Sequence, residues 1–249
     1  MAQLTGQVAF ITGASSGIGE AVARRLATEG VQLMLADIDD ARGEALAAEL
    51  GAGYLHTDTS SLEDNEALVA ATLARYGRLD LAFLNAGISS GCGIGEDFDL
   101  ATYRRAMGVN LDGVVFGAHA ALEALKANGG GQLIATASMA GLVAVPFDPF
   151  YAANKHAVVG LVRSLGVTLD PKDNIRANAL CPSFADTNII KPIKGFLEDT
   201  KFPILEVSDV VDAFMAIATG TGTGQCHFVV VGRPSEPFQF RNAPGPVLS

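Results

Sequence analysis

The chain has 249 residues, 49% hydrophobic and 18% charged, with 17 basic and 27 acidic side chains and a formal net charge of −10. Such a composition can bury a sizeable core, which excludes a disordered chain. The acidic balance argues against a nucleic-acid partner and against attachment to anionic membranes by bulk charge.

Short apolar runs alternate with longer helix-like segments along the whole chain. Val8–Ile11 reads as a strand, Gly17–Thr28 as an Ala-rich helix and Val31–Ala36 as a second strand. A helix at Asp40–Leu50, a strand at Tyr54–His56, a helix at Ser61–Tyr76 and a strand at Leu79–Leu84 follow. One long helix is expected over about Asp99–Ala127, then a strand at Gln132–Ala137 and a helix at Phe150–Leu169. A strand at Ile175–Leu180, a helix at Val207–Ala218 and a strand at Cys226–Val231 complete the pattern. Seven strands alternating with helices predict βαβ units and a doubly wound α/β fold, a parallel sheet with helices on both faces. No linker or repeat divides residues 1–249, so a single domain is expected. Two stretches stand apart: about 185–204, expected to be an insertion over a site, and an irregular, proline-rich tail at about 233–249.

The first strand leads into Thr12-Gly-Ala-Ser-Ser-Gly-Ile-Gly19 and then directly into a helix. Gly13, Gly17 and Gly19 permit a tight turn and close backbone approach, and the helix N-terminus offers free N–H groups to a pyrophosphate. Such a turn is common in α/β proteins for purely structural reasons; strand before, helix after and an acidic residue downstream make it a dinucleotide motif. The acidic residue is Asp37, 18 positions past Gly19. A carboxylate there accepts hydrogen bonds from ribose hydroxyls and repels a 2′-phosphate, so NAD is expected as cofactor rather than NADP. Asp37 could instead be an N-cap or turn residue, a task that Asp39 or Asp40 could also perform. Arg42, the nearest cation, is expected to face solvent.

Thr12–Gly19, Asn85-Ala86-Gly87, Asn110, Ser138 and Tyr151-Ala-Ala-Asn-Lys155 fall in the order and spacing of classical short-chain dehydrogenases/reductases, which the chain resembles over roughly Gly6–Val231. The resemblance implies a seven-stranded Rossmann fold with nicotinamide and substrate in one pocket, and an oxidoreductase acting on a secondary alcohol or ketone. It implies that Tyr151 is the general acid/base, that Lys155 stabilises its phenolate and binds the nicotinamide ribose, and that Ser138 holds the reacting oxygen. Asn110 would anchor a water relay. It further implies cofactor contacts at Gly13, Ser15, Ser16, Gly17, Ile18, Gly19, Asp37, Asp58, Thr59, Asn85, Ala86, Gly87, Pro182 and Thr187. Where the family usually has Gly after that proline, this chain has Ser183.

The residues make chemical sense alone. Tyr151 and Lys155 are i,i+4 on a helix and share a face. A free phenol titrates at about 10, and a nearby ammonium would bring it toward neutrality. Taken singly, Tyr151 reads as packing, Lys155 as a solvated face and Ser138 as a strand-end cap; after a dinucleotide turn they read together as a site. Met139, Val143, Val145, Pro146, Phe147, Phe150, Phe184 and Ile189 would give an apolar pocket for a hydrophobic or aromatic small-molecule substrate. The competing readings are an NADPH-dependent ketoacyl reductase and a non-catalytic dinucleotide sensor.

Cys92, Cys181 and Cys226 have no CxxC pair, and His56, His119, His156 and His227 have no metal-ligand spacing, so reduced thiols and no metal are expected. No leader is read in the first residues, and the stretch Gln132–Phe147 is too short and interrupted to span a bilayer, so a cytoplasmic protein without a membrane partner is expected. The apolar surplus at Ala152, Ala153, Ala157, Val158, Leu161, Val162 and Leu165, with the resemblance, points to a homodimer or homotetramer.

Overall fold

A computed structural model describes residues 4–146, 148–169 and 171–241. Phe147 and the tail prolines Pro244 and Pro246 lie outside the described residues. The strands are β1 (Val8–Thr12), β2 (Gln32–Asp37), β3 (Gly53–His56), β4 (Leu81–Leu84), β5 (Gly131–Thr136), β6 (Ile175–Pro182), β7 (Cys226–Val229) and β8 (Glu236–Pro237). They form one sheet in the order β3-β2-β1-β4-β5-β6-β7-β8. The first seven are parallel, with Ile11 opposite Phe83 and Thr12 opposite Ala36, while β8 is antiparallel to β7.

Side chains alternate across this sheet because the strand period is two. Ile11, Leu33, Leu35 and Phe83 enter one core beneath the helices α1 (Gly17–Thr28), α2 (Asp40–Leu50) and α8 (Val207–Thr219). Phe10, Met34, Ala36 and Leu84 enter the other, beneath α3 (Leu62–Tyr76), α5 (Gly113–Ala127) and α6 (Pro149–Thr168). Both faces of the sheet are therefore covered, as parallel sheets require. The strand order reverses between β1 and β4, which opens a crevice at their carboxyl ends, the usual ligand position in such sheets.

Two expectations need correction. The sheet has eight strands rather than seven: the tail expected to be irregular pairs Glu236–Pro237 with β7, and Phe240 stacks under Arg163 at 3.8 Å. The expected helix over Asp99–Ala127 is α4 (Leu100–Met107), a π-type turn over Gly108–Asp112, then α5. Its wider turn lies where the Asn110 side chain turns inward to another segment's backbone. The insertion at 185–204 has its own structure, a 3-10 turn at Asn188–Ile193 and the short helix α7 (Lys194–Asp199).

Helices α2, α3, α4 and α6 each begin on a side chain, Asp39, Ser61, Asp99 or Asp148, that accepts a first-turn N–H. Helix α1 does not: Ser16 stands at its cap without a capping hydrogen bond.

Candidate active site

The turn between β1 and α1 is built on two glycines that no other residue could replace. Gly13 has φ +64°, and a Cβ there would lie 2.9 Å from Ala86 Cα. Gly19 passes so close to the Gly13 carbonyl oxygen that a Cβ would stand 2.1 Å from it. The first helical bond of α1 runs from Glu20 N–H to the Ser16 carbonyl, so the N–H groups of Gly17, Ile18 and Gly19 precede it. With Ser16 not capping, these donors and the positive end of the helix dipole are what an anion would use. Ser15 is buried and donates its N–H to Asp37 Oδ2 at 2.9 Å.

Asp37 ends β2 and is fixed from both sides, since Oδ1 accepts from the N–H groups of Ile38 (2.8 Å) and Asp39 (3.1 Å). Asp39, not Asp37, caps α2, while Asp37 holds the turn after β2 through these backbone N–H groups. Arg42 is exposed and paired with Asp39 at 3.2 Å. Asp58 is exposed after β3, with Oδ1 accepting from Ser60 N–H (2.9 Å) and Oγ (2.7 Å), while Thr59 beside it is buried. Asn85 stitches three strand ends together: its Nδ2 donates to the Thr12 carbonyl (3.1 Å) and its Oδ1 accepts from Thr136 Oγ1 (2.9 Å). The N–H groups of Asn85 and Ala86 donate to Thr12 Oγ1. Gly87 follows, and a Cβ there would be 3.4 Å from Lys155 Nζ.

Tyr151, Lys155, Ser138 and Asn110 converge at the carboxyl ends of β4, β5 and β6. Lys155 Nζ is over the Tyr151 ring, 5.6 Å from its centroid, and donates to the Thr136 carbonyl at 2.7 Å. Ser138 Oγ accepts from Ala140 N–H (3.1 Å) and donates weakly to the Pro182 carbonyl (3.3 Å). Asn110 is fully buried and pairs with Ile88 in both directions, accepting its N–H and donating to its carbonyl, each at 2.8 Å. The electrostatics differ from the expectation that the ammonium pulls the phenol down. Burial pushes Tyr151 up to about 12, against the opposing hydrogen bond with Ser138, and pushes Lys155 down to about 8. Desolvation is the largest cause of both shifts.

Pro182 is buried at the end of β6, and Thr187 lies against the glycine-rich turn, its Cγ2 3.2 Å from where a Gly17 Cβ would be. Ser183 needs no glycine, because the only non-glycine residues with positive φ among the described ones are Asn174 and Lys201. Of the expected pocket residues, Met139, Val143, Val145, Pro146, Phe150, Phe184 and Ile189 are all half-buried or exposed rather than core, as a wall facing a ligand would be. Thr12 and Thr136, which hold Asn85 and Lys155, were not singled out by sequence reasoning. Strand-end threonines carry no local signal of such a role.

A short chain dehydrogenase family model matches residues 7–196. Borneol dehydrogenase, mitochondrial, of Lavandula x intermedia is 34% identical over 221 residues, covering 87% of this chain and 85% of that protein. The crystal structure of a 3-ketoacyl-(acyl-carrier-protein) reductase from Brucella melitensis complexed with NADH superposes with a TM-score of 0.86 at 30% identity, covering 92% of this chain and 99% of that one. An NADPH-dependent 3-quinuclidinone reductase from Rhodotorula rubra gives 0.81 at 28% identity, with 91% of each chain covered. No helix among the described residues is long and apolar enough to cross a membrane. Fold, motif order and these likenesses agree, and the chain belongs to the short-chain dehydrogenase family of nicotinamide-dinucleotide-binding oxidoreductases.

Proposed function

We propose that this protein catalyses reversible hydride transfer between NAD(H) and a secondary alcohol or its ketone, with Tyr151 moving the proton. Lys155 carries the reading. Its ammonium is 2% exposed and has one acceptor among the described residues, the Thr136 carbonyl. A lysine buried with two donors to spare is costly unless further polar partners arrive, and two ribose hydroxyls fit that need. The uncapped start of α1 at Ser16–Gly19 would hold the pyrophosphate, and Asp37 the adenosine ribose. Asp58, Thr59 and Asn85-Ala86-Gly87 would border the adenosine, with Pro182 and Thr187 at the carboxamide.

When bound, the nicotinamide supplies the hydride acceptor or donor. The protein manages the proton. In reduction Tyr151 gives its hydroxyl proton to the carbonyl oxygen, which Ser138 Oγ steadies by turning its long bond from Pro182 toward it. In oxidation Tyr151 takes the alcohol proton. The Tyr151–Lys155 pair loses its first proton near pH 8, the value to which burial lowers Lys155. Phenol with neutral amine and phenolate with ammonium are one macroscopic state, so the basic form is available at mildly alkaline pH. Oxidation should therefore gain kcat/KM with rising pH and level off near pH 8–9, about where that pair titrates.

NAD is preferred because Asp37 presents a carboxylate where NADP carries a phosphate, while Arg42 is engaged by Asp39. The half-exposed apolar wall and the borneol dehydrogenase likeness favour hydrophobic, ring-bearing secondary alcohols. We also place the protein in the cytoplasm as a single-domain homo-oligomer. The test is a panel of secondary alcohols assayed with NAD and NADP at the NADH absorbance band. NAD should give at least about tenfold higher kcat/KM, and Asp37→Ser should narrow the gap. Equal or better use of NADP by the wild type overturns the cofactor assignment.

A further inference from the structure

We infer that Asp148 is a positioning residue that latches the strap Gly87–Cys92 onto the first turn of α6, holding one wall of the alcohol site against Tyr151. This rests on the function proposed above. Asp148 precedes Pro149 and caps the helix that bears Tyr151 and Lys155, with Oδ1 accepting Tyr151 N–H at 3.0 Å. One such bond suffices for a cap. Asp148 makes three more, all to one distant segment: Oδ1 accepts from Ser90 Oγ, and Oδ2 accepts from Ser89 Oγ (2.8 Å) and Ser90 N–H (3.0 Å).

The path of that segment gives the latch its meaning. Leaving β4, the chain passes Lys155 Nζ at Gly87, and Asn110 grips the backbone of Ile88 from both sides. It then reaches Asp148 at Ser89 and Ser90, where Ser90 is fully buried. Gly91 (φ +64°) and Gly95 (φ +84°) let it turn away. The strap is thus pinned in its middle by Asn110 and at its end by Asp148, which also holds the Tyr151 N–H, and at Gly87 it passes Lys155 Nζ. In the proposed complex an alcohol oxygen held by Tyr151 and Ser138 would lie on the side of Lys155 that this strap borders.

The carboxylate has a second consequence. The charged or titratable groups facing Tyr151 are Asp148, Cys181 and Lys155, with the Ser138 hydroxyl beside them. The negative charge of Asp148 disfavours the phenolate. Neutralising it should ease proton loss from the pair and move the pH profile of oxidation toward acid, an effect that a mere helix cap would not produce.

Asn and Ser cap helices about as well as Asp, so Asp148→Asn and Asp148→Ser keep the start of α6 while weakening or removing the latch. Hydrogen exchange at the amides of residues 88–92 should speed by about tenfold or more in Asp148→Ser, with α6 amides unchanged. KM for the best alcohol should rise about tenfold, with kcat falling less than about threefold and NAD affinity held within about twofold. Ser90→Ala should give a smaller effect and add nothing on top of Asp148→Ser, as members of one network do. Asp148→Asn should shift the oxidation profile to lower pH. Exchange at 88–92 within about twofold of wild type, loosening of α6 to the same degree, or an unmoved KM each overturns the latch. If the wild type oxidises no alcohol with either dinucleotide, the proposed function falls, and the exchange measurement alone decides the latch.

Discussion

Tyr151 and Lys155 lie together, and desolvation forces each toward its neutral form, the phenol up to about 12 and the amine down to about 8. The phenol oxygen is the one atom that the proposed chemistry cannot lose. Tyr151→Phe keeps ring and helix, so folding and NAD binding should persist while turnover falls by about 10²–10⁴-fold. Near-wild-type turnover in a folded, NAD-binding variant would refute the assignment. Lys155 makes a prediction of opposite sign for stability. Its folded pKa lies below the 10.5 of a free lysine, so between about pH 8 and 10.5 the unfolded chain binds more protons and stability rises with pH. Below pH 8 the full cost of the buried charge remains, up to about 3 kcal/mol for this shift. Without dinucleotide, Lys155→Met should thus unfold at equal or higher urea than wild type at pH 7, with the advantage shrinking toward pH 10, while turnover is lost. A variant clearly less stable than wild type at pH 7 would contradict this account of the site.

Among the elements, α6 shows how tertiary contact reverses a local rule. Gly166 lies inside this helix, where glycine is about 1 kcal/mol worse than alanine by propensity. A Cβ there would meet Gly224 Cα at 2.2 Å, backbone against backbone, just before β7. Gly166→Ala should therefore destabilise rather than stabilise, by about 1–3 kcal/mol as overpacking typically does, read as a lower urea midpoint with unchanged slope. The turn at Gly13–Gly19 was legible because its glycines, flanking strand and helix are local. The interruption at Gly108–Asp112 was not, since residues 99–127 keep helical character throughout. The π-type turn accompanies the bond between Asn110 and Ile88, 22 residues earlier. Asparagine is unfavourable in mid-helix, and the buried pairing of Asn110 with Ile88 gives its side chain a role that offsets this.

For the whole molecule, the outer edge of α6 bears on assembly. Ala152, Val158 and Val162 are consumed by the core, whereas Ala157, Leu161 and Leu165 stay half-exposed, Ala153 is exposed, and Val115 on α5 is 39% exposed. That remainder is what a second copy would cover, and light scattering at micromolar concentration should give a dimer or tetramer mass. A monomer mass would remove the proposal and leave these side chains as ordinary surface.

The order of strands and helices, the glycine-rich turn with Asp37 behind it, and the pairing of Tyr151 with Lys155 on one helix face were determined by the sequence itself. Periodicity, turn chemistry and i,i+4 spacing act within a few residues, so they are written where they operate. The eighth strand, the ordered turns inside 185–204, the role of Thr136 beneath Lys155 and the bonds from Asp148 to Ser89 and Ser90 were decided only by the tertiary structure. So was the direction of the two pKa shifts, because desolvation depends on how completely residues far apart in the chain exclude water from one pair of side chains.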